Sequence, residues 1–96
     1  MTLTKRDRAI ALAEQIYTAL NHDLFDQMSH EAIDSVIADL NTLRSLVGRC
    51  SDINVATFSL ERMKHPRANK LLKAQSAKEA AAGARNMVYD MAEAGQ

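Results

Sequence analysis

The chain has one cysteine, one proline, three glycines and no tryptophan in 96 residues. A single thiol excludes an internal disulfide framework. So few turn-forming residues exclude the many tight reversals of a small β-barrel or sandwich. An excess of either charge is missing too: 12 Lys and Arg balance 12 Asp and Glu, for a formal net charge of zero. The chain as a whole therefore lacks the positive field of a dedicated nucleic-acid binder, and equally the repulsion that keeps copies apart. No apolar run approaches the roughly 20 residues that span a bilayer. Residues 1–8 are polar, with no apolar secretion-signal core behind them. A cytoplasmic location is the expectation, and a lone Cys50 suits a reducing compartment.

What remains is helix-forming. Hydrophobic residues make up 47% and charged residues 25%, the balance of a folded chain and not of a disordered tail. Ninety-six residues suffice for one domain, 1–96, with a modest core. Abundant Ala, Leu, Met, Glu, Lys and Arg predict an all-α fold, a small four-helix bundle with a long Ala-rich C-terminal helix.

The first helix is expected at about 5–20, opened by Thr2 or Thr4. Ala9, Ile10, Ala13, Ile16, Tyr17 and Leu20 recur at three- and four-residue steps, and Asn21, His22 and Asp23 stop it. Leu24, Phe25 and Met28 anchor the connection. The second, at 29–47, has the clearest signals: Ser29 as N-cap, Glu31 in the first turn, Met28 and Ile33 as a hydrophobic staple, and Gly48 for a left-handed C-cap. Its stripe is Ile33, Val36, Leu40, Leu43 and Val47. The third helix is expected at 54–64, capped by Asp52 or Asn54, with Val55, Phe58 and Met63 as its apolar positions. The alternation of Ile53, Val55 and Thr57 resembles a strand, but no second strand exists to pair with it. The last helix, 66–94, places Pro66 in its first turn. Its middle, Glu79 to Ala84, is small enough for a neighbouring helix to approach closely, with Gly83 a weak point. The larger residues at its two ends, Leu71 and Leu72 at one and Met87 to Ala92 at the other, each need a cover, in part a second copy of the chain.

Charge is distributed unevenly. Residues 53–78 carry Arg62, Lys64, Arg67, Lys70, Lys73 and Lys78 against Glu61 alone, whereas the rest of the chain is net acidic. Arg67, Lys70 and Lys73 step by three, forming a stripe at the start of the last helix. This stripe can meet an acidic protein surface, or phosphates with Asn69 or Gln75 reaching bases, or the protein's own acidic half, or only solvent.

No other pattern carries chemistry. His22, Asp23, Asp26, His30, Glu31 and Asp34 lie close in sequence, but acidic residues are expected at a helix start and no second His-and-carboxylate pair completes a metal set. Cys50 has no framing His or Gly-rich turn, and no serine has a G-x-S-x-G context. Neither a catalytic site nor a metal or cofactor site is expected. The expected function is a non-enzymatic helical interaction protein: an adaptor, or an inhibitor that occludes a site on a larger protein, of the kind found among phage and bacterial regulators. Its partner-binding residues would be the six basic ones, and it would form a homodimer. The alternative is a nucleic-acid-binding transcriptional regulator using the same 62–78 segment.

Overall fold

A computed structural model describes residues 4–21 and 28–94. Four helices make up the fold, α1 (Lys5–Leu20), α2 (His30–Val47), α3 (Ser51–Met63) and α4 (Lys70–Ala94), with no strand among the described residues. Each helix packs on its chain neighbours, and α4 closes the ring against α1. The result is the all-α bundle expected from composition, with extents of 45 × 25 × 22 Å. At about 1.5 Å per residue, the 25 residues of α4 run most of the long axis. Among the described residues no helix is long and apolar enough to cross a membrane.

The caps follow local chemistry. Thr4 opens α1 with a reciprocal box: its Oγ1 accepts from Asp7 N (3.1 Å), and the Asp7 carboxylate accepts from Thr4 N (3.4 Å). Asn21 closes it, its Nδ2 donating to Tyr17 O at 2.8 Å. Ser29 Oγ accepts from Ala32 N at 3.2 Å to open α2, and Met28 packs against the core that contains Ile33. Gly48 ends α2 with φ 84° and ψ −159°. The positive φ is as expected, but ψ places it in the extended region open only to glycine and not in the left-handed helical one. Leu24, Phe25, His22, Asp23 and Asp26 lie outside the described residues.

Two helix starts differ from expectation. α3 begins at Ser51 and not at Asn54: Asn54 N already donates to Cys50 O at 3.1 Å. Asp52 sits in the first turn, where its charge suits the dipole. Asn54 caps nothing; its Oδ1 accepts from Arg44 of α2 at 3.3 Å. Cys50, buried, is the N-cap residue and makes no capping bond with its side chain. α4 begins at Lys70 and not at Pro66. His65 O accepts from Ala68 N at 3.1 Å, closing a four-residue turn in which Pro66 takes the second position that its fixed φ favours. Asn69 then caps α4, its Oδ1 accepting from Leu72 N at 3.1 Å.

The earlier start of α3 changes its inward face. Ile53, Ala56, Leu60 and Met63 are all at most 1% exposed, while Val55 and Phe58, expected inside, are 46% and 62% exposed. The inward face of α4 is almost entirely alanine: Ala74, Ala77, Ala80, Ala81 and Ala84, with Val88 the larger exception. Small side chains let α4 approach α1 and α3 closely. At Gly83 an added Cβ would lie 2.6 Å from Asp52 Oδ2 of α3. The weight of the core comes from the other three helices, where Leu20, Ile33, Leu40, Leu43, Ile53, Leu60 and Met63 are the largest fully buried side chains. Each such burial is worth about 1.5–3 kcal/mol.

Candidate partner-binding surface

The six basic residues do not form one stripe. Arg62 is exposed in the last turn of α3, and Arg67 is exposed in the Pro66 turn, before α4 begins. Only Lys70 and Lys73 lie in the first turns of α4, Lys70 exposed and Lys73 half-buried. The helical run Arg67–Lys70–Lys73 is therefore broken at its first member by the turn and the Asn69 cap. Asn69, expected to reach outward, spends its side-chain oxygen on that cap. Lys64 points elsewhere, toward α2: its Nζ lies 2.6 Å from Asp34 Oδ1 and 3.3 Å from Glu61 Oε2. The Asp34 bond is the main cause that raises the Lys64 pKa above its ordinary value. Lys78 is half-buried further along α4 and has an interaction of its own.

Arg62, Arg67, Lys70 and Lys73 thus gather around the α3–α4 turn, and none forms a salt bridge among the described residues. The first turn of α4 contains no carboxylate, so nothing acidic offsets the positive end of its dipole. Apolar side chains stand among these cations. Leu71 and Leu72 are 68% and 60% exposed, each uncovered by any helix. Adjacent on a helix, they point about 100° apart. Leu72 is four positions before Ser76, whose Oγ accepts from Ser59 Oγ of α3 at 3.1 Å. Leu72 therefore borders the α3–α4 groove, and Leu71 lies on the other flank of α4. Leu72, Lys73, Gln75, Ser76 and Glu79 line an open hollow along that groove.

A second polar constellation, absent from the sequence expectations, joins α1 to α4. Glu14 Oε1 accepts from both Arg85 Nε (2.6 Å) and Tyr89 OH (2.7 Å). The Arg85 guanidinium lies 4.7 Å from the ring centroid of Tyr17 and 5.5 Å from that of Tyr89, within cation–π range. The Tyr89 hydroxyl and then the Arg85 guanidinium hold the Glu14 carboxyl below the usual carboxylate range. The same bond raises Tyr89. Arg85 Nε and the Tyr89 hydroxyl converge on one carboxylate oxygen of α1, so the cluster works as a clasp between helices. A weak signal was present: Arg85 and Tyr89, four apart, share a face with the right reach for one carboxylate. Only the fold supplies Glu14.

No three His, Cys, Asp or Glu side chains gather as a metal site among the described residues. A small hollow of about 140 Å³ opens between the start of α1 and the ends of α2 and α4, lined mainly by Ala9, Leu46, Val47, Val88 and Met91. It brings no nucleophile and base together. Compared with models of known protein families, with characterised proteins and with solved structures, the chain matches none.

Proposed function

We propose that the protein is a non-enzymatic interaction protein, an adaptor or an inhibitor that occludes a site on a larger protein, and that it docks through the end of the bundle at the α3–α4 turn. The observation that supports this most is Leu71, the most exposed large apolar side chain among the described residues, next to Lys70 and close in sequence to Arg67 of the turn. Covering one leucine is worth about 1.5–3 kcal/mol before the costs of association. The cations around it add steering toward an acidic surface more than raw affinity. A protein partner with an apolar contact rimmed by carboxylates fits this mixture better than a phosphate backbone, whose contacts are polar and cationic throughout.

The test is capture of partners from a lysate of the native host, with and without nuclease, followed by titration of the purified partner. A stoichiometric protein retained through nuclease is expected, and Leu71→Asp with Arg67→Glu and Lys70→Glu should weaken it at least about tenfold, as for the loss of a buried contact. Capture abolished by nuclease, with affinity falling steeply in salt, would transfer the surface to the nucleic-acid regulator. Undiminished binding by the triple variant would remove this surface from the function.

A further inference from the structure

We infer that the outer α3–α4 face, opposite the side covered by α2 and α1, is a dimer interface on which a second copy of the chain lies antiparallel. This goes beyond the docking function proposed for the turn end, which uses the other flank of α4. The face has a floor of small side chains, marked by the Ser59–Ser76 bond at 3.1 Å and by Asp52 against Gly83. Those two contacts also fix the antiparallel register of α3 and α4. Val55, Phe58 and Arg62 share one outward flank of α3, spaced three and four apart. Leu72 and Glu79, seven apart, share one flank of α4. Val55, Phe58 and Leu72, at 46%, 62% and 60% exposure, leave three large apolar side chains in water along this face.

Charge names the occupant. The end of the face nearest the turn carries Arg62 and Lys73, and the far half carries Glu79 and Asp52. A two-fold axis crossing the helices near Phe58 reverses the second copy. It sets Phe58 against its own counterpart and turns the cationic end of each copy toward the carboxylate half of the other. Such a face is complementary to itself, as an isologous contact requires, and the zero net charge of the chain opposes it with no long-range repulsion. The 13 residues of α3 give the face a length of about 20 Å, and two helices of about 10 Å give it a similar width. That footprint, about 400 Å² per copy, is below the range of stable specific interfaces, so a weak, reversible dimer is expected. Leu71, Arg67 and Lys70 stay outside it, leaving one docking end per copy.

Sedimentation velocity of the full chain from about 1 μM to 1 mM tests this, a range suited to a weak dimer. A concentration-dependent shift from the 10.6 kDa monomer to twice that mass is expected. Phe58→Asp should abolish the shift. Lys73→Glu and Glu79→Lys should each weaken it, and the two together should restore it, because the swap re-creates complementarity across the axis. Circular dichroism confirms that each variant is folded, and all of these sites lie outside the core. A monomer at every concentration overturns the inference. So does a dimer indifferent to Phe58→Asp, or one that the double charge swap fails to rescue. Loss of partner binding on changing Leu71, with the dimer intact, would support the docking function alone, and retained partner binding by a Phe58→Asp monomer would separate the two surfaces.

Discussion

α4 meets α1 on one flank and α3 on the other, and it treats its long side chains differently on the two. Toward α1, Arg85 and Tyr89 reach across to Glu14 and Tyr17, so the peripheral charge and aromatic surface are used within the chain. Toward α3, the contact is made by small side chains, Ser59 with Ser76 and Gly83 beneath Asp52. The large neighbours, Val55, Phe58 and Leu72, are left in water. Where backbones approach closely enough for small residues to hold the helices together, the larger residues beside them become available for other contacts. Around Arg85 and Tyr89 the α1 flank is internally satisfied; the α3 flank is not.

The contrast sharpens most at Met63 and Leu72, which lie on the inner and outer sides of the same end of the α3–α4 pair. Met63→Ala, at 1% exposure, should cost about 2–5 kcal/mol in urea unfolding. Leu72→Ala should stay within about 0.5 kcal/mol at monomer concentrations. A large loss from Leu72→Ala would mean that the outer residue supports the fold after all.

Gly83 separates close approach from helix propensity. Gly83→Ala should gain nothing in the wild-type chain, because the new Cβ meets the Asp52 carboxylate 2.6 Å away. In an Asp52→Ala background the same change should stabilise by about 0.5–1 kcal/mol, the ordinary advantage of Ala over Gly in a helix. Equal gains in both backgrounds would show that the Asp52 carboxylate is not held over Gly83.

On the other flank the clasp should be pH-dependent. Glu14 has its pKa lowered by folding, so its contribution is present above the unfolded value, about 4.3, and is lost as pH falls through the lower folded value. Tyr89 has its pKa raised, so its contribution is present below about 10 and is lost as pH rises through the folded value. Urea midpoints of wild type and Glu14→Gln should therefore differ at neutral pH and converge in acid. Parallel curves down to pH 2 would remove the clasp from the stability of the fold. The smallest effect belongs to Val55→Ser, half exposed on α3, which should leave the midpoint nearly unchanged while weakening self-association.

Much of this was legible in the sequence because caps and periodicity are local. Thr4, Ser29, Gly48 and the Ile33–Leu43 stripe identify α1 and α2 almost to the residue. α3 was harder, because two apolar registers coexist in it. Val55 with Phe58 competes with Ile53, Ala56, Leu60 and Met63, and only packing against α2 and α4 selects the second. The start of α4 was misplaced because Pro66 fits a helix first turn and a β-turn equally well, and the Asn69 cap decides between them. The basic cluster was visible as composition, but its division into Lys64 toward α2 and the other cations around the turn depends on tertiary contacts. The Glu14–Arg85–Tyr89 clasp joins residues 71 and 75 positions apart, a pairing that no spacing in a single sequence encodes.

Hydroxyl-radical footprinting at low and high protein concentration compares the two flanks of α4 in one experiment. Phe58 and Leu72 should lose reactivity as concentration rises, while Tyr17 and Tyr89 on the clasp keep theirs. Protection of the tyrosines with Phe58 unchanged would contradict the assignment, placing the unsatisfied surface on the α1 flank instead.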